Sequence, residues 1–135
     1  MAWRTTTVRA AEPKALKKRA RHAERKADRR LAEAIEEGDD ELLHRARKAA
    51  KRARYAAELC APVEKRAKET VKQYKRIQTV LGDHQDGVVA SATLRRLALT
   101  AGTTAGENGF TYGLLYAREQ QAAETARRQV RKLVD

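Results

Sequence analysis

The chain is poor in aromatic side chains, cysteine and proline. One Trp, one Phe and four Tyr make up 4% of its residues, too few to build stacking platforms for several nucleobases. A single cysteine, Cys60, excludes an internal disulfide, and its place among apolar neighbours points to a small buried side chain. Two prolines, Pro13 and Pro62, leave long stretches uninterrupted for helix. No apolar run is long enough to span a bilayer, and no signal-peptide pattern opens the sequence, so the cytoplasm is the expected location. No segment alternates at period two for the length of a strand. His22, His44 and His84 stand in no H-E-x-x-H motif, no P-loop occurs, and no His is followed directly by Asp. Neither an enzyme, nor a metal, nor a cofactor is expected.

What the chain has in excess is positive charge. Thirty Lys and Arg face eighteen Asp and Glu among 135 residues, a net charge of +12 and a pI near 10.3. That balance favours polyanionic partners: nucleic acid, acidic membrane or a chain of phosphates. The length fits one domain with a modest core.

The charge is concentrated in the stretch 43–58, LHRARKAAKRARYAAE. On an α-helix it divides into two halves. His44, Arg47, Lys48, Lys51, Arg52, Arg54 and Tyr55 share one side, with Arg45 at the margin. Leu42, Leu43, Ala46, Ala49, Ala50, Ala53, Ala56, Ala57 and Cys60 share the other. Solvated helix faces ordinarily mix acid with base at i,i+4 spacing, yet no acid stands between His44 and Arg54. One half is suited to burial against other helices; the other is suited to an anion.

The rest of the chain reads as further helices. Residues 1–12 lack a helical period and are expected to be a disordered or frayed tail, with the helical domain over 13–135. Pro13 suits the first turn of a helix over 14–37 that Gly38 closes. Its Lys and Arg residues between 14 and 30 are either a solvated face or a second wall of the anion site. Asp39 or Asp40 caps the second helix, which ends before Pro62. A third helix is expected over 63–81, with Val63, Ala67, Val71, Tyr74, Ile77 and Leu81 inward and Lys72, Lys75 and Arg76 among its outward cations. Gly82 ends it, and Asp83 with Asp86 resembles a cap for a fourth helix reaching Leu99. A loop over 101–108 and a last helix over 109–134 complete an all-α chain, an antiparallel bundle of four to five helices. Many core positions are Ala, which bury little area each.

The run Leu43-His44-x-x-Arg47-x-x-x-Lys51-Arg52-x-Arg54-Tyr55-x-x-Glu58, followed by Gln78-x-x-Leu81-Gly82-Asp83-His84-Gln85-Asp86, resembles the CHAD family, the conserved histidine α-helical domain. Phe110 to Leu115, FTYGLL, also fits that pattern. Members usually contain two similar helical bundles with a basic surface between them, and this chain resembles the C-terminal bundle. The resemblance implies half of a CHAD-like domain that binds inorganic polyphosphate along a basic groove. A second helical bundle or a second copy would complete that groove, and polyphosphate granules are an implied location. The binding positions it implies are His44, Arg47, Lys51, Arg52, Arg54 and Tyr55, with Arg45 and Lys48 beside them on the same helix and Lys72, Lys75 and Arg76 supporting from the next.

The residue chemistry agrees with that implication. Guanidinium forks suit phosphate oxygens and Lys supplies a mobile point charge. A row of such groups can follow a polymer, with salt-sensitive affinity from counterion release. His44 and Tyr55 are hydrogen-bonding groups set into the basic side, whereas His84 and Asp86 read as turn and cap residues. Two other readings fit the charge: a nucleic-acid-binding bundle, with non-specific backbone contacts, and a helical module docking an acidic protein. The chain shows no helix-turn-helix spacing and no base-reading set of Asn and Gln.

Overall fold

Residue periodicity is converted into four helices in the computed structural model, which describes residues 12–134. They are α1 (Pro13–Glu37), α2 (Asp40–Cys60), α3 (Ala67–Ala101) and α4 (Phe110–Val134). No strand occurs among the described residues. The expected tail lies almost wholly outside them. By its contacts the chain divides after Gln78 into two units.

The first unit holds α1, α2 and the start of α3. Pro13 occupies the first turn of α1, where its missing N–H costs nothing. Gly38 ends that helix in the left-handed region, φ 69°, with its amide donating to the Ala34 carbonyl. A side chain at Gly38 would strain that conformation. Asp39 then caps α2 by accepting from the Glu41 amide at 2.8 Å. The connection between the helices is so short that α2 must run back along α1.

Their shared core is built largely from alanine: Ala20, Ala27 and Ala34 of α1 meet Ala46, Ala49, Ala50, Ala53 and Ala57 of α2, with Leu31 and Leu43 the larger members. Such small side chains let the helix axes approach closely. Ala20, Cys60 and Ala67 form one buried cluster with Leu16, Ala56 and Ala61 against it, so the start of α3 joins the pair. Higher up, the Tyr74 hydroxyl donates to Asp28 Oδ1 at 2.6 Å and reaches the Glu24 carbonyl at 3.3 Å. Contacts therefore rise together along α1 and α3, which run parallel with α2 opposed to both.

Two boundaries differ from the sequence expectation. α3 begins at Ala67, not near 63: Pro62 and Val63 lie in a turn, the Val63 amide donating to the Cys60 carbonyl at 2.9 Å. Val63 is consequently exposed rather than core. More important, α3 does not stop at Gly82 but runs on to Ala101, a single helix of 35 residues. The expected third and fourth helices are one, and Asp83 and Asp86 are exposed mid-helix residues rather than caps. A mid-helix glycine costs about 1 kcal/mol relative to alanine. Burial of Leu81 and His84 on either side of Gly82 outweighs that cost.

The second unit consists of the remainder of α3 and α4. Gly87 approaches α4 so closely that a Cβ there would sit 3.3 Å from that of Ala123, and one on Gly109 would sit 2.8 Å from the Ala98 carbonyl oxygen. These two contacts fix an antiparallel hairpin. Ala123, Ala126 and Val130 bury the inner side of α4, and Arg127 Nε donates to Nε2 of the buried His84 at 3.3 Å. Val89, Leu97, Phe110, Leu114 and Leu115 remain exposed, although apolar periodicity places Val89, Leu97 and Leu115 inward.

Candidate phosphate-binding face

The face originates in the division of α2 into two sides. Leu43, Ala46, Ala49, Ala50, Ala53, Ala57 and Cys60 are all buried, as periodicity requires. Burying them forces the opposite side outward. Lys48, Lys51, Arg52, Tyr55 and Arg45 are exposed there, and His44, Arg47 and Arg54 are half-buried. The eight residues nominated on α2 thus lie along one continuous helical surface.

Acids stand only at the ends of that surface. Glu41 lies 3.9 Å from Arg45, one turn before it, and Glu58 lies 3.5 Å from Arg54, one turn after it. The exposed Arg45–Glu41 pair contributes only about 0.3–0.5 kcal/mol and does little to hold Arg45 from an incoming anion, whereas Arg54 is the more buried of the two arginines. Tyr55 organises the lower end. Its ring centroid lies 4.9 Å from the Arg54 guanidinium carbon and 5.8 Å from Lys51 Nζ, so two cations share one aromatic ring. At the upper end, His44 Nδ1 is buried without a hydrogen-bond partner. That leaves Nε2 as the nitrogen available to an external anion.

Packing of α1 on α2 adds what the sequence of α2 alone does not contain. Arg30, Arg45, Lys48, Ala49 and Arg52 line a cleft of about 210 Å³. Four cations from two helices converge on it, and no carboxylate lines it. Arg30 belongs to the α1 cations for which a solvated face is one reading and a second wall of an anion site the other; it lines the cleft beside Arg45, Lys48 and Arg52. Its signal is its distance from the Gly38 turn, which folds α1 back beside α2. The supporting cations on α3 are placed differently. Lys72, Lys75 and Arg76 are all exposed on the side of α3 away from Tyr74 and Ile77, and Lys72 lies 3.9 Å from Glu69. They do not line the cleft.

Beneath this surface, Tyr74 ties α3 to α1. Burial, then the hydrogen bond to Asp28, pushes the phenol well above its ordinary value, so it stays a donor. Glu24 beside it is raised as well, first by desolvation and then by Glu64 and Asp28. The Cys60 thiol is likewise raised, chiefly by burial, and is an inert packing group rather than a nucleophile. Among the described residues no group of three or more His, Cys, Asp or Glu is placed to hold a metal ion.

A CHAD-domain family model matches residues 2–95. The chain belongs to the CHAD family. The match contains α1, α2 and the basic face entire, together with the Leu81 to Asp86 segment. It ends before α4, so the Phe110 to Leu115 segment lies beyond it, and it begins inside the stretch read as a tail. Two proteins from two strains of Mycobacterium tuberculosis, named only as uncharacterized, are each 48% identical to this chain over 91 residues. That alignment covers 67% of this chain and 17% of either relative. No solved structure matches. No helix among the described residues is long and apolar enough to cross a membrane.

Proposed function

We propose that this CHAD domain binds inorganic polyphosphate, without catalysis, along the basic side of α2 and the Arg30 edge of α1. The observation that carries the reading is the cleft of Arg30, Arg45, Lys48 and Arg52. Its lining supplies positive charge and hydrogen-bond donors, but neither a nucleophile nor a general base. Membership of a family associated with polyphosphate binding supports the same conclusion. His44, Arg47, Lys51, Arg54 and Tyr55 extend the surface along α2, giving a linear polymer successive partners one helical turn, or about 5.4 Å, apart. Bidentate guanidinium contacts fix the chain's phosphates and lysines neutralise the charge between them. Lys72, Lys75 and Arg76 contribute general positive potential from α3 rather than direct contacts.

The test is calorimetric titration with long-chain polyphosphate at two salt concentrations, beside duplex DNA at equal charge. Tight, salt-sensitive binding of polyphosphate with weaker binding of DNA is expected. Equal affinity for both would reduce the face to a general polyanion surface, and a DNA sequence preference would replace this reading with a nucleic-acid one.

A further inference from the structure

Within the second unit, the side of α3 turned away from α4 carries a stripe with its own order. Asp86, Val89, Thr93, Arg96 and Thr100 follow one another at spacings of three, four, three and four residues. That is the 3.5-residue spacing of a seam along which one helix packs against another, here filled by polar residues around the single apolar Val89. All five are exposed, Val89 by 56%, and Leu97 beside them is 41% exposed. The opposite side of the same helix is consumed by the hairpin, with His84, Gly87, Ser91 and Ala101 buried.

The stripe is complementary to itself. Within it Asp86 and Arg96 stand either side of Val89 and Thr93, with the small Ala90 and Ala92 at their flanks and Thr100 beyond. Laid antiparallel on a second α3, Asp86 meets Arg96 of the second copy, Val89 meets its Thr93, and the other half repeats the same pairs. An isologous two-fold contact requires this reciprocity. Registers shifted by a turn lose the opposite-charge pairs. An unrelated partner has no reason to match both the charge order and the spacing.

We propose that the chain self-associates through an antiparallel α3–α3 contact centred between Val89 and Thr93. A single helix pair about 21 Å long buries less than a standard interface, so the dimer is weak, with a dissociation constant on the order of 10 µM. If the basic face binds polyphosphate as proposed, two faces on one particle gain avidity for a polymer; the association itself does not depend on that.

Sedimentation or light scattering of the full chain, without any anion, tests the pairing from about 1 to about 200 µM, bracketing that weak range. The mass is expected to rise from 15.2 kDa towards twice that. Asp86→Arg and Arg96→Asp should each hold the protein monomeric, and combining them should restore the dimer. The two positions are about 15 Å apart on one helix, so the combination cannot re-form a pair within the chain. Circular dichroism separates loss of association from loss of fold, and Val89→Lys provides an independent disruption should a charge variant unfold. A wild-type mass that stays at 15.2 kDa overturns the proposal. So does a dimer that survives the single reversals, or a double variant that stays monomeric.

Discussion

The cleft between α1 and α2 makes a quantitative demand on the salt dependence of binding. Each cation that neutralises a phosphate of a flexible polyanion contributes roughly 0.7 to the slope of log affinity against log salt. Arg30, Arg45, Lys48 and Arg52 together contribute a slope near −3, and Arg47, Lys51 and Arg54 along α2 bring it to about −5, hence a fall of about a thousand-fold between 50 and 200 mM salt. Arg45→Gln with Arg52→Gln removes half of the cleft charge. Both side chains are exposed, so the fold should change by less than about 0.5 kcal/mol. Polyphosphate titrations across that salt range should then give a slope shallower by about 1.4 and lower affinity at every salt concentration. The matching change on α3, Lys72→Gln with Arg76→Gln, should leave the slope nearly unaltered, because those side chains do not line the cleft. Equal effects from the two pairs would refute the assignment of the cleft and leave only the net charge of +12 as the cause of binding.

Three stability measurements probe the scaffold beneath the face. Tyr74→Phe deletes the 2.6 Å bond to Asp28 and should cost about 2 kcal/mol, as hydrogen bonds to charged groups do, read as a lower denaturation midpoint. Glu24 has a raised carboxyl, so the stability it contributes is present in acid and lost as pH rises through its folded value. Glu24→Gln should therefore raise the melting temperature at neutral pH and leave it unchanged near pH 4. In α4, Gly113→Ala meets nothing within 4 Å and should stabilise by about 0.5–1 kcal/mol. Gly109→Ala instead drives a Cβ to 2.8 Å from the Ala98 carbonyl and should destabilise by about 1–3 kcal/mol; matched thermal melts of the two variants check the hairpin's close approach.

The first two helices were legible because their signals are local. Pro13, Gly38 and Asp39 mark termini through backbone chemistry that no neighbour needs to supply, and the alanine side of α2 fixes which residues turn inward. Gly82 misleads for the converse reason. Its cost is local and reads as a stop, whereas the burial of Leu81 and His84 that overrides it comes from tertiary packing. Val89 and Leu97 mislead through the same gap: helical periodicity identifies apolar positions but cannot say whether another helix is there to cover them. A hairpin of two helices leaves at least one side of each uncovered.

The basic surface divides along the same line. Separation of charge on α2 follows from its own period, so the His44 to Tyr55 side required no partner to be recognised. Recruitment of Arg30, and not of Lys72, Lys75 and Arg76, depends on how neighbouring helices are turned. Arg30 stands eight residues before Gly38, and the backbone reverses there, which returns α2 along α1 and brings Arg45, Lys48 and Arg52 to its level. The α3 cations have no such constraint, because Tyr74 and Ile77 direct the opposite side of their helix into the core. Charge density alone would rank the two sets together; the anchoring of Tyr74 on Asp28 separates them. Weakening that anchor should therefore disturb α3 before it disturbs the cleft. Tyr74→Phe is expected to retain polyphosphate affinity within about two-fold at temperatures where the variant remains folded, since it removes no cation. A large loss of affinity without unfolding would show that α3 shapes the face more directly than its exposed cations indicate.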